Sequence, residues 1–217
     1  MSDLFREMAV YLNGHPGMFQ TAVRAHMIIF FAVLLTSFLI GAPLGVLNAK
    51  KPIFSTIVIN IFSALKMIPS LALLLVFLPI LGTGFWPAFI ALTLHALPTI
   101  LISAYTGFKE VDVNVLESAA GMGLSAGEIL LKVEIPLAMP IIFTGIRTCT
   151  IDIIASATLA AYIGAGGLGE FVVMGLSRQD HVVTLIGSLS IGALSLAADF
   201  VFFILQKILL RYQSAVT

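Results

Sequence analysis

Charged side chains are concentrated in one segment, residues 109–136, which carries seven of the 22 acidic and basic residues of the chain. From Glu117 onward the segment reads E-S-A-A-G-M-G-L-S-A-G-E-I-L-L-K-V-E-I-P. The Glu117 carboxylate can meet an Arg or Lys of a partner protein, and the small side chains of Ala119 and Ala120 let a partner surface approach. The chemistry that we expect from this segment is therefore protein recognition.

The spacing within this run predicts two short helices joined by a tight turn. The first covers 116–122, and Gly123 supplies the positive φ that ends it. The second starts at Ser125, because Ser125 and Glu128 have the spacing of a capping box. We expect Pro136 to end this second helix.

Four ionisable residues lie inside apolar stretches, where an isolated charge is costly. They are Lys66, Arg147, Asp152 and Asp199. One hypothesis is that some of them line a polar pathway or gate. The other is that Lys66 or Arg147 pairs with Asp152 or Asp199 between helices. Arg147 and Asp152 are about 140° apart around a helix, so they do not pair with each other on one face.

Motifs for catalysis and for cofactor binding are missing from the sequence. It has no G-x-x-x-x-G-K-[ST] phosphate loop, no H-E-x-x-H and no G-x-S-x-G. Cys149 is a single cysteine, which excludes an internal disulfide and a cysteine-rich metal site. His95 is expected to form a hydrogen bond between helices. We therefore expect no catalytic, cofactor or metal site in this chain, and any energy must come from a partner.

The composition indicates whether the protein lies in water or in a lipid membrane. Of the 217 residues, 59% are hydrophobic and only 10% are charged, and the mean hydropathy is +1.10. A soluble domain has about 25% charged residues, and it could not hide this much apolar surface from water. The net charge of zero gives no basic field for nucleic acid. The chain is predicted to be an all-α integral membrane protein in contact with lipid.

Apolar runs long enough to cross a bilayer predict about five transmembrane helices. They cover residues 26–47, 53–81, 87–108, 141–163 and 182–207. Because Pro69 and Pro79 interrupt the second run, we expect one long, kinked helix there. A Gly-rich stretch, 164–169, and a polar loop separate the last two spans. Gly41 with Gly45, and Ser188 with Gly192, are small-residue pairs that favour helix packing.

Loop cations set the predicted orientation. An N-terminus outside the cell places six cations in the cytoplasm and three outside. The six are Lys50, Lys51, Lys109, Lys132, Lys207 and Arg211, and the three are Arg6, Arg24 and Arg178. Residues 1–21 then form an extracytoplasmic interfacial segment with apolar side chains at helical spacing. Residues 22–217 form the transmembrane domain, the 109–136 loop is cytoplasmic, and the C-terminus lies inside.

The 117–136 run resembles the EAA loop of ABC-importer permeases of the type I fold. The family pattern is E-x-A-x-x-x-G, followed after nine residues by an aliphatic residue, any residue, a second aliphatic residue and Pro. The residues that match it are Glu117, Ala119, Gly123, Val133, Ile135 and Pro136. Ser118 replaces the second family Ala, and Val133 and Ile135 replace Ile and Leu. Further matches are the break at Ile68-Pro69-Ser70, the 164–169 stretch and the five-span length.

The resemblance implies a transport subunit whose cytoplasmic coupling helix docks on a separate ATPase. It assigns ATPase coupling to Glu117, Ser118, Ala119, Gly123 and Pro136. It also implies a cytoplasmic ABC ATPase dimer that binds ATP and Mg, a second permease copy (the same chain or a related one), and an extracytoplasmic solute-binding protein. The location implied is a bacterial cytoplasmic membrane.

Candidate pathway or gate residues are Pro69, Ser70, Arg147, Asp152, Gly166 and Gly167, since broken helices expose backbone carbonyls to a pathway. Stretches around Pro69, 133–142 and 145–148 look like osmoprotectant permeases, which import glycine betaine, carnitine or choline. An amino-acid permease of the methionine type is the alternative, and an ATP-independent secondary transporter is a third hypothesis. No aromatic cage for a quaternary ammonium can be assembled from the four Tyr and one Trp.

Overall fold

The computed structural model describes residues 2–50 and 52–210, and every regular element in that part of the chain is helical. Lys51 and Arg211, two of the cations that set the predicted orientation, lie outside the described residues. The elements are α1 (Ser2–Gly14), α2 (Pro16–Ala49), α3 (Pro52–Lys66), α4 (Ser70–Leu81), α5 (Phe85–Lys109), α6 (Val113–Gly121), α7 (Ala126–Ile129), a π-helical turn (Leu130–Glu134), α8 (Ile135–Leu159), a 3₁₀ turn (Ala160–Ile163), α9 (Gly169–Arg178) and α10 (His181–Leu210).

Four helical segments of the described chain are long and apolar enough to cross a membrane: α2, α5, the helical segment 126–163, and α10. The bent pair of α3 and α4 passes the same criterion together, which gives up to five spans. The predicted all-helical membrane fold is therefore confirmed. The first span was expected at residues 26–47, but α2 begins earlier, at Pro16. Proline is well suited to the first turn of a helix.

The second predicted span is two helices and not one kinked helix. The axes of α3 and α4 meet at 88°. Pro69 is extended, with φ −57° and ψ 136°, and a residue that precedes proline, here Ile68, is disfavoured in α conformation. Pro79 remains inside α4, two residues before its end. The two prolines therefore differ in effect, and only Pro69 separates two helices.

Pro136 does not end a helix, contrary to the prediction. Here α7, the π-helical turn and α8 run on as one helical segment, and Pro136 lies in the first turn of α8. The amide of Ile135 donates to the carbonyl of Leu130, five residues earlier. A proline ring clashes with the carbonyl four residues before it in a regular α-helix. The wider π turn immediately before Pro136 gives that ring room.

The core lies where α2, α4, α5 and α8 meet. The pairing of α2 with α5 is the most extensive in the described chain, and that of α5 with α8 follows. Buried side chains from each helix fill the space between them, among them Ile29, Leu74, Leu92 and Ile153. Because the outward faces carry large apolar residues, this arrangement suits a lipid solvent.

Only one of the two small-residue pairs packs as expected. Gly45 of α2 lies so close to α5 that a Cβ atom there would be 2.5 Å from the carbonyl oxygen of Leu101. Gly41 is also close to α5. In contrast, Ser188 is exposed, and no atom of the described chain lies within 4 Å of a Cβ built at Gly192.

A second cluster joins α1, α9 and α10. The sequence predicted a polar loop before the last span, but α9 forms there and its Phe171 is fully buried. Met8 and Leu12 of α1, which belong to the predicted apolar face of that helix, pack against this cluster. Residues 2–14 are thus helical as expected, but the apolar face of this helix contacts protein.

Candidate functional site

The short helix α6 begins earlier than the sequence predicted, at Val113 and not at residue 116. Asp112 is its N-cap, and its carboxylate accepts a hydrogen bond from the backbone amide of Asn114 at 2.8 Å. The signal was present in the sequence, since an Asp directly before an apolar-periodic run marks a helix start. This cap fixes where α6 begins after the end of α5.

The two faces of α6 differ in what they contact. Glu117 and Ser118 are exposed, and so is Met122 in the turn that follows. Ala119 is only 2% exposed, so its small side chain packs within the chain. This differs from our expectation that Ala119 would face a partner. Ala120 is exposed. The outer face of α6 therefore combines a carboxylate with small and apolar surface.

The turn after α6 has the predicted geometry. Gly123 has φ of +86°, a conformation that side chains with a Cβ rarely adopt. Ser125 and Glu128 form the predicted capping box, and Lys132 donates to the Glu128 carboxylate at 2.8 Å. These contacts hold the pKa of Glu128 below its ordinary value, with the Lys132 hydrogen bond as the largest cause and the bonds from Ser125 next.

The 109–136 loop is anchored at its base by a contact that the sequence did not reveal. Lys50, at the end of α2, forms an ion pair with Glu134 at 3.1 Å. The flanking helices α5 and α8 are also in close contact, because a Cβ on Gly107 would lie 2.9 Å from the carbonyl oxygen of Ala138. Gly145 packs against Ser103 in the same helix pair. The two helices that flank the loop are therefore packed directly against each other.

Arg147 is paired, as the second of our two hypotheses stated. Its guanidinium binds Asp199 with two hydrogen bonds, of 2.6 and 2.8 Å, which join α8 to α10. The guanidinium also lies over the ring of Phe203, 5.6 Å from the centroid. Asp152 does not take part in this pair. A bidentate pair of this kind satisfies both charges at once, so Arg147 and Asp199 hold two spans together.

The remaining candidates of the middle region gather at the break between α3 and α4. Pro69 is exposed and Ser70 is half-buried there, directly after Lys66. The ring of His95 in α5 lies near the backbone of Ile68 in this break, and the hydrogen bond between helices that we expected of this histidine stays a prediction. Asp152 lies near enough to influence His95 electrostatically.

Gly166 and Gly167 form a tight turn over α2. Their φ values are +82° and +96°, and a Cβ on Gly167 would lie 3.1 Å from Nδ1 of His26. His26 is 1% exposed and is a residue that the sequence analysis did not single out. The structure therefore places these glycines in a close approach between backbone segments.

These features define a class of protein. The chain is an all-helical, multi-pass membrane protein, and its short exposed helix α6 lies between two long apolar helices. A family model described as binding-protein-dependent transport system inner membrane component matches residues 37–213. The chain belongs to that family, the permease components of ABC importers.

Named relatives cover most of the chain. Carnitine transport permease protein OpuCB of Listeria monocytogenes is 38% identical over 188 residues, which are 87% of this chain and 85% of the relative. The glycine betaine/carnitine/choline permease OpuCB of Bacillus subtilis is 35% identical and covers 93% of each chain. Choline permease OpuBB of the same species is 36% identical and covers 84% of each.

Solved structures give the fold. The inward-facing MetNI methionine ABC transporter matches with a TM-score of 0.76 at 21% identity, covering 88% of this chain and 96% of that one. An amino acid ABC transporter solved with histidines has a TM-score of 0.73 at 17% identity, with 94% and 97% covered. At these identities the likeness establishes the type I importer permease fold and no more.

Proposed function

We propose that this chain forms half of the translocation pathway of an ATP-driven importer for quaternary-amine osmoprotectants such as glycine betaine, carnitine or choline. The support for this solute class is the agreement among relatives at 35–38% identity, whose names specify these three compounds. The likeness to the methionine transporter is limited to fold, so it does not favour an amino-acid substrate.

The outer face of α6 is the proposed docking surface for a cytoplasmic ATPase. The observation that carries this proposal is an exposed helix whose start is capped by Asp112 and whose end is turned by Gly123. Glu117 supplies a charge for a basic partner residue, and the exposed Met122 supplies apolar area. Because α5 and α8 are in close contact, motion of a docked ATPase would pass to both spans.

The remaining partners follow from this arrangement. Two permease chains, identical or related, would enclose the pathway, and two ATPase subunits would bind ATP and Mg and dock on the two copies of α6. With the N-terminus outside and the C-terminus inside a bacterial cytoplasmic membrane, α1 and α9 would face the extracytoplasmic side, where a binding protein would deliver solute. ATP binding would open the pathway outward, and hydrolysis would reset it.

Uptake by the complete transporter in proteoliposomes tests the proposal. The assay measures ATP-dependent accumulation of labelled glycine betaine, carnitine, choline and methionine, and ATP hydrolysis is measured in parallel. We expect the three osmoprotectant compounds, and not methionine, to accumulate. Methionine uptake alone would overturn the solute class, and uptake that needs no ATPase would indicate a secondary transporter.

Two substitutions test the docking surface with matched controls. Glu117→Lys reverses the exposed charge on α6, and Gly123→Val places a β-branched side chain at φ +86°. Both should abolish ATP-driven uptake while the protein remains inserted in the membrane. Glu110→Lys reverses an exposed acid that precedes α6, and Gly127→Val adds a side chain in open space. Normal uptake by both test variants would refute the docking role of α6.

A further inference from the structure

Of the four ionisable residues singled out above, Lys66 and Asp152 form no ion pair within the described part of the chain. Arg147 and Asp199 neutralise each other. Within residues 2–50 and 52–210, no ion pair within 4.0 Å forms at Lys66 or at Asp152. The structure thus leaves one cation and one anion unpaired at the level of the helix break, where both are expensive if they face hydrocarbon.

A cavity of about 410 Å³ adjoins Lys66. Its volume lies within the range of about 300–1,000 Å³ that is typical of small-molecule sites. The polar groups that line it come from α3, α5, α8 and α10, and they are Lys66, Thr99, Ser103, Thr144, Thr148 and Gln206. An ammonium group and several hydroxyl groups therefore converge on one space between four helices.

Asp152 lies one helical turn beyond this cavity. It follows Thr148 by four residues in α8, and residues with this spacing share a helix face. His95 precedes Thr99 by four residues in α5 in the same way. Both His95 and Cys149 lie within electrostatic range of Asp152 and of Lys66. The unpaired cation and the unpaired anion therefore border one region.

The exposure of Lys66 indicates what this region faces. Lys66 is exposed in the protomer, and the adjoining Met67 is 84% exposed. A lysine ammonium that faced lipid at this depth would be strongly unfavourable, so intramembrane charges face a water-filled space or a protein partner. The broken backbone after Lys66 has the same requirement, because irregular backbone at membrane depth is tolerated only beside a cavity or within protein.

We propose that this cavity binds a zwitterionic solute, with the solute carboxylate on the Lys66 ammonium and its quaternary ammonium directed toward Asp152. The inference rests on the proposed function and assigns the solute site within this chain. A quaternary ammonium has no N–H and cannot donate a hydrogen bond, and no aromatic side chain is among the described residues that line the cavity. The carboxylate of Asp152, one helical turn beyond the lining residues, is therefore the group that can attract it. The Thr99 and Thr148 hydroxyls can donate to the solute carboxylate beside Lys66, whereas those of Ser103 and Thr144 already donate to backbone carbonyls of their own helices.

A consequence is discrimination between zwitterions and simple cations. Glycine betaine and carnitine carry a carboxylate that Lys66 can bind. Choline carries a hydroxyl in its place, so it keeps the contact of its ammonium with Asp152 but has no carboxylate to offset the repulsion by the Lys66 charge. Neutralising Lys66 should therefore weaken the binding of glycine betaine and strengthen that of choline.

Equilibrium binding of labelled glycine betaine and choline to the permease–ATPase complex, without the binding protein, tests this site. We expect Lys66→Met to weaken glycine betaine binding by about 10- to 100-fold, the loss typical of one hydrogen bond to a charged group, and to leave choline binding unchanged or stronger. Lys66→Arg should restore glycine betaine binding, and Asp152→Asn should weaken both solutes. Lys207→Met and Glu110→Gln remove exposed charges elsewhere and serve as controls.

A double substitution separates solute binding from a purely structural pair. If Lys66 and Asp152 neutralised each other in another conformation, Lys66→Met/Asp152→Asn would recover the losses of the single variants. The proposal requires the double variant to bind glycine betaine no better than either single one, and recovery would overturn it. Absent binding to the wild-type complex at millimolar glycine betaine would also overturn it. The transport function would still stand if the same transporter accumulated glycine betaine with ATP.

Discussion

Gly45 is the position where the packing of α2 against α5 leaves least space. A Cβ atom at residue 45 would lie 2.5 Å from the Leu101 carbonyl oxygen and 2.7 Å from the Ala104 Cβ atom. Ordinary van der Waals contact begins near 3.4 Å, so Gly45→Ala must separate the two helices by about 1 Å, enough to lose much of the local dispersion energy. Since this helix pair is the most extensive of the described chain, the change should lower the stability of the whole bundle.

The magnitude follows from two opposing effects. Overpacking by one methyl group costs about 1–3 kcal/mol, and replacement of glycine by alanine within a helix gains about 1 kcal/mol. Gly192→Ala isolates the second effect, because no atom of the described chain lies within 4 Å of its new Cβ. The two variants should therefore differ in free energy of unfolding by about 1–3 kcal/mol. Gly41→Ala, whose nearest contact is 3.2 Å, should fall between them.

Unfolding of the purified chain by SDS in mixed micelles, followed by circular dichroism, measures these free energies. Gly17→Ala is a second control with open space around it, in the first turn of α2. A difference below about 0.5 kcal/mol between Gly45→Ala and Gly192→Ala, which is the scatter of neutral surface substitutions, would refute the close approach of α2 and α5.

The remaining predictions concern two charged contacts. Arg147→Met and Asp199→Leu should each lower the thermal stability of the detergent-solubilised protein, because each leaves one unpaired charge in a span; the double variant should recover most of the loss, and additive losses would contradict the pairing. Because the pKa of Glu128 is held below its ordinary value of 4.5, its capping box should stabilise the start of α7 at neutral pH and lose this effect as the pH falls below about 4.5. Hydrogen exchange at residues 125–132, corrected for intrinsic rates, should be less protected at a pH well below 4.5 than at pH 7, because the effect is lost as the pH falls through the lowered pKa of the folded state. Protection at pH 7 should also fall in Ser125→Ala but not in Ser177→Ala, and unchanged protection in Ser125→Ala would argue against the capping box.

Local patterns predicted the parts of the candidate site that depend on neighbours in sequence. The capping box at Ser125 and the positive φ of Gly123 are set within a few residues, so their spacing is sufficient evidence for them. The start of α6 was placed three residues late, although Asp112 carried a usable capping signal. The helix α9 was missed, because its glycines and polar end are typical of loops, and burial of Phe171 against α10 stabilises it.

Contacts between distant residues could not be predicted in the same way. Arg147 had two possible acidic partners, and only the packing of α8 on α10 selects Asp199. Lys50 and Glu134 are separated by 84 positions, yet their ion pair closes the base of the 109–136 loop. The inward orientation of Ala119 depends on how α6 lies against the loop, which the family pattern does not contain.

The sequence by itself determined that the chain lies in a membrane, that it is all-helical with four to five apolar helical segments, and where the charged 109–136 segment falls. Each is set by composition or by local periodicity, since a helix of about 20 apolar residues satisfies its own backbone in lipid. Tertiary structure alone decided that Pro69 turns the chain by 88° while Pro136 is absorbed by a π turn. It also decided which intramembrane charges are paired, because partner choice depends on the rotation and contact of whole helices.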